Sequence, residues 1–185
     1  GIGLDSVDLN AAKERGIKVS YTPEAPAPAV AELTMGLIIN LLRFVHISNS
    51  QLHKGGWNRI FGRRLADITL GIIGVGRIGS RVIRRTKPFG TPRILVNDID
   101  TSYRSNLDYK IEWTSKEEIY KVADIVSLHL PLTKFTKNMI RKEQLLSMKK
   151  DASIINVSRG GIINEQDLYE VMKAGHLSGA AIDVF

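Results

Sequence analysis

At 185 residues, 43% of them hydrophobic and 24% charged, the chain has room for one good core and excludes a disordered or fibrous protein. It contains no cysteine, which excludes disulfides and thiolate zinc sites and suits a cytoplasmic setting. Its formal net charge of +7 is scattered in small clusters without interleaved aromatics, so a basic surface that draws in small anions is expected, not nucleic-acid binding.

Residues 1–23 do not read as the start of a domain. A glycine-rich turn leads into a helix at 9–15, which Gly16 ends, and Ile17, Val19 and Tyr21 alternate as in a strand. Thr22 to Pro28, with three prolines, breaks regular structure and reads as a connector. The division expected is a stub of one domain at 1–23 and a second domain at 24–185. A long helix is expected from Ala29, with Val30, Leu33, Leu37, Ile38, Leu41, Leu42 and Val45 at helical spacing. So wide an apolar face suggests burial on two sides, against a sheet and against a second subunit in a homodimer. The longest apolar run, 35–42, contains Asn40 and is too short to span a bilayer, so no membrane partner is expected.

Residues 58–67 form a basic loop, where Arg59, Arg63 and Arg64 either attract a phosphorylated acid or, more plainly, coat a loop. Next comes the stretch that organises the chain. Residues 69–73 read as a buried strand, followed by Gly74-Val75-Gly76-Arg77-Ile78-Gly79 and a helix opening at Arg77 or Ile78. Gly74 permits the tight turn, Gly76 lets the backbone approach a pyrophosphate, and Gly79 lets helix and strand pack closely. The helix N-terminus then faces the phosphates. A second strand, 93–98, ends in Asp98 about twenty residues on, as a dinucleotide site requires. Asp98 is placed to accept hydrogen bonds from the adenosine ribose, which favours NAD over NADP; a solvated strand end is the plainer alternative.

Ser115 and Glu118 signal a capped helix, and strands are expected at 124–129, 152–157 and 179–185. A helical turn or two at 142–148 and a helix capped by Asn164 and ended by Gly175 separate them. Strands alternating with helices imply a Rossmann-type α/β fold, a doubly wound parallel sheet covered on both faces. Its ligand crevice lies beyond the carboxyl ends of the strands, where 74–79, Asp98, His129-Leu130-Pro131, Val157-Ser158-Arg159 and Asp183 converge. Arg159 offers a planar fork for a carboxylate and a fixed positive charge beside a carbonyl oxygen; a solvated strand-end arginine is the alternative.

Four motifs carry a resemblance: the glycine turn, Ser127 to Thr133, Ile155 to Gly161, and Ala180 to Phe185. Together they resemble the NAD-dependent D-isomer-specific 2-hydroxyacid dehydrogenases, and most of all the phosphoglycerate dehydrogenase type. The resemblance implies NAD as cofactor and a small 2-hydroxy or 2-keto acid as substrate, with 3-phosphoglycerate a candidate. It implies Arg77 and Ile78 at the pyrophosphate, Asp98 at the ribose, and His129, Leu130 and Pro131 lining the cofactor. It further implies Val157, Ser158 and Arg159 beside the nicotinamide, Asp183 at its carboxamide, Arg159 as catalytic arginine, and Ile2 and Gly3 on a substrate-side loop. The family's glutamate and histidine would follow Phe185, and most of its substrate domain would precede Gly1. A fragment that binds NAD but turns over little is therefore expected, with a non-catalytic NAD(H)-binding interaction module as the alternative.

Overall fold

The structure, a computed structural model, describes residues 3–4, 6–90, 92–100 and 110–185. Six strands form one parallel sheet: β1 Thr69–Ile73, β2 Arg93–Asn97, β3 Ile111–Trp113, β4 Ile125–Leu128, β5 Ser153–Asn156 and β6 Gly179–Ile182. Their order is β3-β2-β1-β4-β5-β6, so the chain steps outward from β1 to one edge, then crosses back and runs to the other. That reversal lies between β1 and β4, and it opens a crevice at their carboxyl ends.

Side chains alternate across the strands, and each face is apolar because helices cover both. Leu70, Ile72, Ile94, Val96, Ile125 and Ile155 face one layer, formed with α2 (Ala27–Arg43) and α4 (Arg77–Thr86). Ile73, Leu95, Val126, Leu128 and Ile154 face the other, formed with α5 (Lys116–Val122), α6 (Lys142–Ser147) and α7 (Glu165–Lys173). Helices settle close where a strand lacks a side chain. A Cβ on Gly71 would lie 2.4 Å from Ile119 Cγ2 on α5, and one on Gly179 would lie 2.7 Å from Leu41 Cδ2 on α2. Expected caps form: Ser115 Oγ accepts from Glu118 N, and Asn164 Oδ1 from Asp167 N.

Three expectations are corrected. Helix α1 (Leu9–Glu14) forms, but residues 17–21 are not a strand: no described strand lies beside them, and Ile17, Val19 and Tyr21 are exposed. The long helix begins earlier, at Ala27, because prolines fit a first helical turn. It also ends earlier, at Phe44, whose φ of 54° is left-handed; α3 (Val45–His53) then leaves at a 65° bend. Asn40 Oδ1 accepts from His46 N at 3.1 Å and so caps α3, a role the polar residue inside the apolar run had concealed. The face of α2 carrying Ile38 and Leu41 packs inward and is buried, while Leu33 on the same helix is exposed. Edge strand β3 lacked any sequence signal strong enough to be expected. No single helix among the described residues is long and apolar enough to cross a membrane.

Ile38 is fully enclosed between α2 and the sheet. Truncating it (Ile38→Ala) is expected to cost about 3 kcal/mol of stability, read from urea unfolding; a loss below about 1 kcal/mol would contradict this packing.

Candidate active site

The turn from β1 into α4 is set by contact between backbones. Gly74 has φ of 97°, and a Cβ there would lie 2.3 Å from the His129 carbonyl oxygen. A Cβ on Gly79 would lie 2.0 Å from the Gly74 carbonyl oxygen. Both are glycine because the fold leaves no room. Gly76 differs: a Cβ there meets nothing within 4 Å, so no neighbour in the chain requires a glycine. It caps α4 without a side chain, leaving open space at a ten-residue helix's N-terminus. Such a cradle, bare where the backbone alone gives no reason, fits an approaching pyrophosphate.

Asp98 stands one residue past β2 and binds the same loop. Its Oδ2 accepts from Val75 N at 2.6 Å, and its Oδ1 from Asp100 N at 2.9 Å. Two backbone donors therefore orient the carboxylate, while each oxygen keeps acceptor capacity.

Next to the loop lies a cleft of 480 Å³, a volume typical of small-molecule sites. Arg77, Ile78, His129, Leu130, Pro131, Val157, Ser158 and Arg159 line it together with Gly3, Leu4 and Tyr21. Arg77 and Arg159 are its charged lining groups, so it suits an anionic ligand. Of the expected site residues, Gly3 and these eight come together. Gly74, Gly76, Gly79 and Asp98 lie in or against the adjoining turn. Asp183 is exposed and does not line the cleft, and Ile2 falls outside the described residues.

A small network fixes the cleft's deep wall. Ser158 Oγ donates to the Leu128 carbonyl oxygen and accepts from Leu130 N at 3.1 Å, stitching the ends of β4 and β5 together. Asn156 closes the following turn: its Oδ1 accepts from Ser158 N, and its Nδ2 donates to the Arg159 carbonyl oxygen at 2.9 Å. Arg159 Nη1 donates to the Ser158 carbonyl oxygen at 2.7 Å, which holds the guanidinium back along its own strand end. The hydroxyl of Ser158 is thus a structural bond, although its backbone borders the cleft. Sequence reasoning missed this stitching and also missed Glu24, whose Oε1 accepts from Arg77 Nε and whose Oε2 accepts from Arg81. A lone carboxylate among prolines carries no spacing signal that would have revealed it.

The His129 ring borders the cleft, but its nitrogens face the protein. Its Nε2 shares a hydrogen bond with Ser127 Oγ at 2.9 Å, and its Nδ1 is sealed from solvent with no partner among the described residues. Burial pushes its pKa down to about 4. The unfolded chain takes up a proton below about pH 6.5 that the folded ring refuses until about pH 4. Stability is therefore expected to fall as pH drops through that window. The His129 share of that loss should be about 2 kcal/mol, allowing for the residue's partial exposure, and the loss should be smaller by that amount in His129→Gln. Urea unfolding at pH 7 and pH 4.5 checks this; an equal loss in both proteins would contradict it.

Comparison with known proteins agrees with this fold. Residues 35–185 match the D-isomer specific 2-hydroxyacid dehydrogenase, NAD binding domain family. The chain is 40% identical over 187 residues to a hydroxypyruvate reductase of Thermotoga maritima, covering all of this chain and 60% of that protein. It is 41% identical over 192 residues to a D-3-phosphoglycerate dehydrogenase of Methanocaldococcus jannaschii, covering all of this chain and 36% of that one. Among solved structures, D-lactate dehydrogenase from Aquifex aeolicus, complexed with NAD and lactic acid, superposes with a TM-score of 0.88 at 35% identity. That match covers the whole of this chain and 56% of the other. The chain thus spans between 36% and 60% of the length of these relatives. It belongs to the D-isomer specific 2-hydroxyacid dehydrogenases and contains their NAD-binding domain.

Proposed function

We propose that the cleft holds NAD(H) and that the chain is the cofactor-binding part of an enzyme acting on a small D-2-hydroxy or 2-keto acid. The observation that carries this reading is the bare Gly76 cradle between two glycines locked by their own neighbours. In this reading the pyrophosphate lies on the Gly76 turn beside Arg77 and Ile78, and the ribose hydroxyls donate to Asp98. Leu130, Pro131 and Val157 give the apolar wall for the nicotinamide and keep water from its face. When bound, NAD supplies the carbon that takes or gives up the hydride. Arg159 grips the acid's carboxylate and polarises its keto oxygen, which requires its guanidinium to swing off the Ser158 carbonyl. Asp183 reaches the carboxamide only if the ligand extends past the cleft lining. The segment 1–23, through Gly3 and Ile2, gives the substrate side, and 24–185 the cofactor domain.

A positioned general acid is worth on the order of 10²- to 10⁴-fold. His129 is held neutral by burial, His176 Nε2 lies 3.0 Å from the Met148 carbonyl oxygen, and His46 and His53 sit on α3. None offers a protonable ring beside Arg159, so the 185-residue chain is expected to bind NADH and turn over slowly. The substrate within the class is left to a panel, with 3-phosphoglycerate tested beside glyoxylate and lactate. A homodimer remains the proposed assembly. Val45, Leu52, Trp57 and Phe61 leave large apolar side chains exposed on α3 and the arm after it.

Two measurements test the reading. Calorimetric titration is expected to give NADH a Kd at least about tenfold tighter than NADPH, because Asp98 repels a 2′-phosphate; equal affinities would contradict it. Gly76→Ala and Gly79→Ala should part company. The first keeps the melting temperature and weakens NADH binding at least tenfold, whereas the second destabilises the fold by about 1–3 kcal/mol. A Gly76→Ala chain that binds NADH as well as the wild type would remove the pyrophosphate from this turn.

A further inference from the structure

Glu24 lies on the connector between Tyr21, which lines the cleft, and α2. Both of its carboxylate oxygens are taken by arginines of α4. Oε1 accepts from Arg77 Nε, and Oε2 accepts from Arg81 Nη2 at 3.0 Å. Arg81 is pinned from its other side, since its Nη1 donates to the Arg77 carbonyl oxygen at 2.7 Å. The Arg77 hydrogen bond is the largest influence holding the Glu24 carboxyl below the usual range, so it is ionised near neutral pH. Arg77 is also the first residue of α4 and lines the cleft where the Gly76 turn opens. A cation at the mouth of the anion seat is therefore already matched with an anion from the connector.

We propose that Glu24 competes with the cofactor's pyrophosphate for Arg77 and so sets how tightly the cradle holds an anionic dinucleotide. This rests on the reading of the cleft as the dinucleotide site. Two anions served by one guanidinium repel each other, and a guanidinium paired with a carboxylate offers less net attraction to a phosphate. Linkage makes the effect reciprocal: a bound dinucleotide weakens the hold of Glu24 on Arg77 and leaves it to Arg81, loosening the connector from α4. The alternative is an ordinary surface ion pair that fixes the connector and leaves affinity alone. Side-chain exposures of 48% for Arg77, 29% for Arg81 and 60% for Glu24 keep the expected effect small.

Calorimetric titration of NADH into the wild type, Glu24→Gln and Glu32→Gln at low salt tests the proposal. Glu32 pairs with Arg85 at 3.3 Å two turns further along α4, so its variant removes the same charge away from the turn. Glu24→Gln is expected to tighten binding about threefold, with the gain shrinking in 0.5 M salt, while Glu32→Gln stays near the wild-type Kd. An unchanged or weaker Kd in Glu24→Gln overturns the proposal, as does equal tightening in both variants. A wild-type chain that does not bind NADH overturns the reading of the cleft and the proposal with it.

Discussion

The turn between β1 and α4 depends on backbone passing backbone at distances that admit no side chain. The Gly79 Cα faces the Gly74 carbonyl, and the Gly74 Cα faces the His129 carbonyl at the end of β4. These two contacts bring α4 down onto the sheet and fix the loop across the β1–β4 crevice. Packed interiors resist even one added methyl group, so the glycines set the helix position within narrow limits. The helix's positive end and the open space at Gly76 then coincide, and that coincidence makes the turn a seat for an anion.

Around this turn the chain orients polar groups in advance. Asp98 is held by the Val75 and Asp100 amides, the ends of β4 and β5 are stitched by Ser158, and Asn156 closes the turn after β5. Each hydrogen bond adds only about 1 kcal/mol. Their value lies in rigidity, because a ligand meets groups that have already lost their freedom. Arg159 is the exception, since its guanidinium leans on the Ser158 carbonyl and, in the role proposed for it, has to turn to meet a carboxylate. The arginine side chain has the reach for that movement, and the stitched turn beneath it supplies a fixed base.

Much of this was legible in the sequence because it rests on local chemistry. The glycine turn, Asp98, the capped helices at Ser115 and Asn164 and the strands that become β4 to β6 follow from spacing and composition. What failed was tertiary in origin. Residues 17–21 have strand alternation but no strand to pair with among the described residues, and alternation alone forms no ladder. The apolar run after Ala29 read as one helix because Phe44 carries no mark of its left-handed conformation. Of the site, the convergence of 77–78, 129–131 and 157–159 followed from topology. The Ser158 stitch and the Glu24–Arg77–Arg81 cluster did not, because their partners lie 28 to 57 residues away in sequence.

The central claim, that the Gly76 turn and the 480 Å³ cleft beside it seat a dinucleotide, is tested most directly by amide NMR of the labelled chain during titration with NADH. The account predicts the largest shifts at Gly76, Arg77 and Ile78, at Leu130, and from Val157 to Arg159, with Trp57 and Tyr169 unmoved. Shifts gathered on the arm around Trp57, with Gly76 to Ile78 silent, would contradict it.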